Sequence, residues 1–187
     1  SADCNGDGIV DYGQILDGTL DDDNGNGVPD CCEDATCLAP VQWQIGDGGN
    51  GHWYQAIKVD VQCWNTHRIE AESMGGHLAT ITDQEEQAVV ASYVAPCYPT
   101  LGGSSIGGVQ QPNDGPWTWI TGETWSYENF QGGENIPSED YLDFNPDSGL
   151  WRDRLDCITS TNNFMIVEWS DDCNGDDIVD YGQILDG

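Results

Sequence analysis

The chain contains one sixteen-residue stretch twice, and this stretch limits the ways in which the backbone can turn. The first copy, DCNGDGIVDYGQILDG, starts at Asp3, and the second, DCNGDDIVDYGQILDG, starts at Asp172. Side chains with oxygen atoms recur at alternate positions, among glycines that permit tight turns. Such a stretch forms either a cluster of Asx turns or a loop that encloses a cation.

The charge of the chain favours the cation. The 187 residues include 34 acidic and four basic side chains, so the formal net charge is −30 at pH 7. A compact state of that charge repels itself unless cations bind, which makes a divalent metal ion the first expected partner. The same charge argues against nucleic acid as a partner and against an anionic membrane surface. No run of about 18 apolar residues is present, so we expect no membrane insertion.

The cysteine content indicates an extracellular or cell-surface location. Eight cysteines in a chain with one lysine are typical of an oxidising compartment. The chain begins at Ser1 without a signal peptide, which we interpret as a mature or excised portion of a longer protein. The carboxylates form no recognisable catalytic motif, and no nucleophile motif accompanies the three histidines, so we expect that the chain is not an enzyme.

The repeated stretch resembles the calcium-binding loop of EF-hand and dockerin-type modules. In that loop, oxygen ligands stand at positions 1, 3, 5, 7, 9 and 12, and glycine stands at position 6. The resemblance extends to a further loop, DDNGNGVPDCCE, which follows the first copy. Gln14 and Gln183 replace the usual glutamate at position 12, and Asp177 replaces the glycine of the last loop. The calcium ligands that the resemblance implies are Asp3, Asn5, Asp7, Ile9, Asp11 and Gln14; Asp22, Asn24, Asn26, Val28, Asp30 and Glu33; and Asp172, Asn174, Asp176, Ile178, Asp180 and Gln183.

Residues 41–170 have a different pattern, which indicates a separate α+β body. The alternating run GHWYQAIKV predicts a strand. Two stretches with helical spacing follow, CWNTHRIEAESMGG and DQEEQAVVASYVA, the second of which begins at Asp83. The later runs SSIGGVQ, PWTWITG, YLDFN and FMIVEWS predict short strands. Two early helices and several later strands are typical of an α+β domain.

The order and spelling of these segments resemble a C-type lectin-like domain. The segments that carry the resemblance are WNTHRIEAESMGGHLATI, SIGGV, WTWITGETWSYENF, GGENIPSEDY, GLWRDRLDC and FMIVEW, which together cover nearly all of residues 41–170. The resemblance implies two helices, short twisted antiparallel sheets and a long loop region. It also implies core positions for four tryptophans, Trp64, Trp117, Trp119 and Trp151.

The resemblance implies a degenerate lectin site. Sugar-binding members hold a calcium ion with a Glu-Pro-Asn triplet, a following glutamate and the last two residues of a Trp-Asn-Asp triplet, and the ion accepts two sugar hydroxyls. Ile136 and Arg152 replace two of the oxygen ligands, so we expect Arg152 to pair with Glu139 or Asp153 and the cluster to hold no metal. The residues of this predicted site are Glu134, Asn135, Glu139, Arg152 and Asp153.

The disulfide connectivity stays open at this stage. Cys63 and Cys97 bracket the two predicted helices and can pair with each other. Alternatively, Cys97 can pair with Cys157.

These observations predict three parts. Residues 1–40 are interpreted as a double-loop calcium module, 41–170 as the lectin-like domain, and 171–187 as a repeat of the first calcium loop, or half-module. We expect an extracellular, calcium-binding structural or adhesive module that repeats in a filament or a long surface protein, with neighbouring copies as head-to-tail partners. The alternative is a calcium-dependent carbohydrate-binding lectin. A glycan or a surface protein is the other expected partner.

Overall fold

The computed structural model describes residues 40–59, 63–93, 103–133, 136–157, 163–172 and 179–186. The compact unit to which they belong begins at Pro40. Within these ranges the helices are α1 (Trp64–Ser73), α2 (Gln84–Tyr93) and α3 (Asp180–Asp186). The strands are β1 (Val41–Gln42), β2 (Trp53–Val59), β3 (His77–Leu78), β4 (Ser104–Gln110), β5 (Trp117–Trp119), β6 (Tyr141–Phe144), β7 (Trp151–Arg154) and β8 (Asn163–Trp169).

The described strands form one mixed sheet in the order β1-β2-β8-β4-β6-β7, with β3 beside β8 and β5 beside β4. The pairs are antiparallel except for β4 and β8, which run parallel where Ser104 lies opposite Phe164. β8 is buried from Phe164 to Trp169, which explains why FMIVEW is an almost continuous apolar run. The α+β architecture predicted for residues 41–170 is therefore confirmed.

The two faces of the sheet carry two hydrophobic clusters. Successive residues of a strand point to opposite faces, so Ile166 of β8 belongs to one cluster and Met165 to the other. The cluster around Met165 contains Trp64 of α1, whereas the cluster around Ile166 contains Val90 of α2. The sheet thus lies between α1 on one face and α2 with the aromatic loop residues on the other.

Side-chain hydrogen bonds to backbone amides of the first turn explain where α1 and α2 begin. The Oδ1 atom of Asp83 accepts a hydrogen bond from the Glu86 amide at 2.8 Å, which caps α2 and confirms its predicted start. The Asn65 amide donates to Oδ1 of Asp156 at 2.9 Å, so a side chain from the segment after β7 caps α1.

The disulfide differs from both pairings that the sequence left open. Cys63 is bonded to Cys157, and the two Cα atoms are 4.0 Å apart. The bond joins the start of α1 to the segment that follows β7, where the backbones already pair. Both predicted pairings are wrong, because Cys63 and Cys157 are bonded to each other. Cys97 lies outside the described residues.

The aromatic side chains follow the prediction at three of four positions. Trp64, Trp119 and Trp151 are buried in the core. Trp117 is only half-buried and stacks on Trp125, with ring centroids 5.9 Å apart. Trp117 is the first residue of β5, and its described ring contacts are with Trp125 and Phe130.

The last described segment packs on the lectin-like body. Val179 is buried in the cluster around Met165, and Tyr181 packs against the same cluster. The predicted boundary between residues 170 and 171 is therefore not an edge of the compact unit, which contains α3. Among the described residues, no helix has the length and apolar character needed to cross a membrane.

Candidate functional site

A hydrogen-bonded loop brings Glu139 close to strand β7. The buried Asp140 side chain accepts a hydrogen bond from the Asp114 amide at 2.7 Å, and the Asp114 side chain accepts one from the Ser138 amide at 2.8 Å. These two bonds tie residues 136–140 to the turn after β4. Ser138 and Asp114 both have positive φ angles, 74° and 59°, which the bonds hold in place. These hydrogen bonds therefore hold residues 136–140 in a defined conformation near Asp153.

Asp153 is buried and only half satisfied. It is 5% exposed, and its Oδ2 atom accepts a hydrogen bond from the Ile136 amide. Its Oδ1 atom is buried and has no hydrogen-bond partner among the described residues. A buried acceptor without a donor costs free energy, and a charged one costs more. Asp153 therefore offers an oxygen atom that a ligand can take.

Glu139 is the second acid of this site. Partial burial raises the pKa of Glu139, and the negative charge of Asp153 raises it further. The two carboxylates are thus close enough to repel each other. A cation between them would remove this repulsion and provide a partner for Asp153 Oδ1.

Arg152 does not neutralise these acids, which corrects the predicted ion-pair cluster. Its Nη2 atom lies 3.2 Å from Oδ2 of Asp143, directly across the β6–β7 pair. Arg152 and Asp153 are consecutive residues of β7, so their side chains leave the strand on opposite faces of the sheet. The prediction that Arg152 pairs with Glu139 or Asp153 is therefore wrong, for a reason that strand geometry supplies.

The opposite face of β7 holds a buried polar network instead. Asp143 also lies 3.3 Å from Nη1 of Arg154, which in turn lies 3.3 Å from Oγ of Ser105. Ser105 Oγ is 2.8 Å from Nδ1 of His67 on α1. Burial raises the pKa of Asp143, and the charges of Arg154 and Arg152 offset part of that rise. Arg152 and Arg154 thus both serve one buried carboxylate, Asp143, on this face.

A second acidic cluster lies under the start of β2. His52, Glu86 and Glu168 offer ligand atoms that lie within 4.8 Å of one another. Glu86 accepts hydrogen bonds from the Tyr54 hydroxyl at 2.5 Å and the Thr82 amide at 2.7 Å. Glu168 accepts one from the Thr80 amide at 2.8 Å and lies 2.6 Å from Nδ1 of His52.

Raised pKa values reduce the net negative charge of this second cluster. Burial raises the pKa of Glu86, and the charge of Glu168 adds to that rise. Burial alone would lower the pKa of His52, but the hydrogen bond to Glu168 and the nearby carboxylates outweigh burial, so this pKa is raised. Burial also raises the pKa of Tyr54, which keeps the phenol protonated as a donor. Unlike Asp153, both buried carboxylates here have donors on each oxygen.

Sequence reasoning missed this second cluster, although one signal was present. Glu168 is an acidic residue inside the buried apolar run FMIVEW, and a buried carboxylate needs donors or a cation. Its partners could not be found from spacing, because His52 lies 116 residues away along the chain.

Most of the predicted calcium ligands lie outside the described residues. This holds for both loops before residue 40, for Glu134 and Asn135 of the lectin site, and for Asn174, Asp176 and Ile178 of the last loop. Of the remaining loop positions, Asp180 and Gln183 lie in α3 and Asp172 lies just after β8.

For the lectin site, the donor chemistry fits calcium. Asp153 and Glu139 provide carboxylate oxygens, which are the ligands that calcium prefers. The unpartnered Asp153 Oδ1 is the atom that would gain most from the ion.

Known proteins resemble this chain in sequence and in fold. A perlucin-like protein of Mytilus galloprovincialis is 30% identical over 107 residues, which are 56% of this chain and 69% of that protein. Halomucin of Haloquadratum walsbyi is 27% identical over 171 residues, 80% of this chain, but the chain spans only 2% of that protein's length. Among solved structures, this chain superposes on the carbohydrate-recognition domain of cow CD23 with a TM-score of 0.58 at 22% identity. The superposition covers 72% of this chain and 95% of the cow domain, which was crystallised in the presence of a GlcNAc2Man3 oligosaccharide.

The family model of the C-type lectin domain matches residues 48–165, which is more than half of the chain. These limits enclose the loop with Glu139, strand β7 with Asp153, and most of both hydrophobic clusters. The chain belongs to the C-type lectin domain family.

Proposed function

We propose that this domain is an extracellular adhesive module that binds carbohydrate through a calcium ion held by Glu139 and Asp153. The observation that carries the proposal is the buried Asp153 Oδ1 atom, which has no partner among the described residues and lies beside a second carboxylate. A bound calcium ion would supply open coordination positions for two hydroxyls of a sugar.

The position of Arg152 supports cation binding at this site. Its guanidinium group is engaged with Asp143 on the other face of the sheet, so its charge does not occupy the space between Glu139 and Asp153. Two carboxylates without a counter-charge attract a divalent cation from solution. The oligosaccharide present with the related domain of cow CD23 makes carbohydrate the first ligand class to test.

The small number of protein oxygen ligands limits the affinity of this site for calcium. Ile136 contributes a backbone amide to Asp153 and no side-chain oxygen, and its side chain is 48% exposed. Fewer protein oxygens leave more coordination positions to water and sugar, which weakens calcium binding. We therefore expect a calcium dissociation constant in the range of about 10⁻⁴ to 10⁻³ M that is typical of extracellular modules.

Glycan binding in calcium and in chelator tests this proposal. The full chain is applied to a glycan array in calcium and in EDTA, together with Asp153→Asn and the control Asp147→Asn. Asp147 is an exposed acid whose amide bonds within its own turn, so the control removes the same charge away from the site. We expect calcium-dependent binding by the wild type and by the control, and at least a tenfold loss for Asp153→Asn. Equal binding in EDTA, or by Asp153→Asn, would exclude this site.

The calcium loops predicted around Asp3, Asp22 and Asp172 belong to the same proposal as rigid connectors of a repeated surface protein. Their support is the ligand spacing and the net charge of −30. Isothermal titration of the full chain gives the number of bound ions. Substitution of Asp3 and Asp22 by Asn removes two of them, whereas Asp147→Asn removes none. Unchanged stoichiometry in the double variant would refute the connector sites.

A further inference from the structure

Helix α3 is held on the lectin-like body by aromatic contacts. The Tyr181 ring stacks on Trp169 with ring centroids 4.4 Å apart, and it meets the edge of Trp53 at 5.7 Å. Gly182 lies so close to Trp53 that an added Cβ atom would stand 3.1 Å from the indole ring. Val179 is 7% exposed beside them. We refer to the area formed by Trp53, Trp169 and Met74 as the aromatic dock.

The contact is local and incompletely packed. A cavity of about 280 Å³ remains beside Tyr181, lined by residues of α3, of the turn after α1 and of the end of β8. Trp169 is fixed by a hydrogen bond within the body, because its Nε1 atom donates to the Met74 carbonyl at 3.1 Å. The aromatic dock is therefore built into the body, whereas α3 covers it only in part. Contacts of this kind open at lower free energy than the core of a domain.

A second segment of the chain carries the same contact residues. Residues 10–18 read VDYGQILDG, which is identical to residues 179–187. Val10, Tyr12 and Gly13 are therefore the counterparts of the three residues that contact the aromatic dock. Each molecule thus has one dock of this kind among its described residues and two segments that match it.

We propose that the aromatic dock is a recognition site for the repeated segment, and that residues 10–18 of one molecule bind to the dock of a second copy in place of that copy's α3. The identical segment seated on the dock in this structure argues for this occupant. The absence of a side chain at Gly13 preserves the close approach to Trp53 that a larger residue would block. The contact is heterologous, because it joins the repeated segment of one copy to the dock of another.

Photocrosslinking in an isotope mixture tests the proposed contact. A benzophenone amino acid replaces Tyr12 in the full chain, and equal amounts of ¹⁴N-labelled and ¹⁵N-labelled protein are mixed in calcium buffer and irradiated. We expect cross-linked peptides that join position 12 to the dock, with Met74 as the preferred site, and with mixed isotope labels. The same probe at position 181 is the control, and it should give links to the dock within one molecule.

Two outcomes would overturn the proposal. Position 12 linking to other surfaces of the body, or linking to the dock with unmixed labels only, would show that the segment does not bind a second copy. An absence of links from position 12, while position 181 reacts as expected, would show that the segment does not bind the dock at all.

A pair of variants tests the same contact without a probe. Tyr181→Ala removes the ring that anchors α3, so residues 10–18 of another molecule meet an open dock, and we expect at least a tenfold increase in association by sedimentation velocity. Adding Tyr12→Ala should abolish that association, whereas adding Tyr12→Phe should preserve it. Equal association in the Tyr12→Ala variant would refute the proposal, and near-ultraviolet circular dichroism checks that the body stays folded.

The inference does not depend on the proposed carbohydrate site. Its experiments use no glycan, and the aromatic dock shares no residue with Glu139 and Asp153. Failure of glycan binding would leave the exchange of segments untouched.

Discussion

Removal of the negative charge at Asp153 should change stability in opposite directions with and without calcium. Without calcium, the wild type keeps a buried oxygen with no described partner, which costs about 1–3 kcal/mol. It also keeps the repulsion that raises the pKa of Glu139. The substituted asparagine would keep an acceptor for the Ile136 amide and would remove the charge. The asparagine NH2 group takes the buried place of Oδ1 as a neutral donor, so only the extra cost of the charge is relieved. Asp153→Asn should therefore be more stable than the wild type in chelator by about 1 kcal/mol.

Calcium should reverse this advantage. At about 10 mM calcium, an ion bound with a dissociation constant of about 10⁻⁴ to 10⁻³ M stabilises the folded state by about 1.4–2.7 kcal/mol. Asp153→Asn loses most of this contribution because one of the two described carboxylates has lost its charge. The difference in unfolding free energy between the two proteins should therefore shift by about that amount between the two buffers.

The assay is urea unfolding in EDTA and in calcium, with linear extrapolation of the unfolding free energy. Any calcium that binds elsewhere in the chain contributes equally to both proteins, so the double difference isolates the site at Asp153. A double difference within about 0.5 kcal/mol of zero, the ordinary error of additivity, would refute cation binding there. A variant that is less stable than the wild type in EDTA would refute the view that Asp153 carries an unpaired charge.

Three further predictions concern the buried groups. The pKa values of His52 and Glu86 are raised in the folded state. Each group therefore contributes stability below its pKa in the unfolded chain, about 6.5 for His52 and 4.3 for Glu86, and this contribution is lost as the pH rises through the pKa of the folded state. In thermal melts, His52→Gln should flatten the decline in melting temperature above pH 6.5. Loss of the Cys63–Cys157 bond, which spans 94 residues, should lower the unfolding free energy of Cys63→Ala/Cys157→Ala by about 4–5 kcal/mol, and this difference from the wild type should disappear when both proteins are reduced. Asp143→Asn should cost about 3–5 kcal/mol in urea unfolding because Arg154 loses its buried counter-charge, and a loss below about 1 kcal/mol would contradict the network.

The elements with strong periodicity could be predicted from sequence. The helices α1 and α2 and the strands β2, β4, β5, β6 and β8 lie where alternation, helical spacing and the Asp83 cap placed them. The short strands β1 and β3 contain two residues each, too few for any period to appear. They form because β2 and β8 offer free edges for pairing, which is a property of the assembled sheet.

The candidate site was predicted only in part, because its geometry depends on strand β7. The residues WRDR are too polar to indicate a strand, so the alternation that separates Arg152 from Asp153 was not applied to them. The resemblance assigned Glu139 and Asp153 to one site, and in the structure the charge of Asp153 acts on Glu139, but charge alone suggested the wrong partner for Arg152. The cluster of His52, Glu86 and Glu168 could not be predicted, since its members come from three distant segments.

The alternation along β7 leads to one more prediction, which separates the two views of the site. If Arg152 neutralised the acids, as its place beside Asp153 in the sequence suggests, Arg152→Gln would strengthen calcium binding strongly. The structure places its guanidinium group on the other face of the sheet, 3.2 Å from Asp143. The substituted glutamine would still have an amide group to donate to Asp143, so the buried network should persist.

This difference can be measured by titrating the full-length Arg152→Gln and Asp153→Asn variants with calcium in a calorimeter. We expect the calcium affinity that depends on Asp153 to change by less than about threefold in Arg152→Gln, since the removed charge lies on the opposite face. In Asp153→Asn, by contrast, that binding event should disappear. A tenfold or larger gain in Arg152→Gln would mean that the arginine turns toward Glu139 and Asp153 in solution. In that case the sequence-based pairing would be right, and the unpartnered oxygen of Asp153 would be satisfied by a side chain of its own strand.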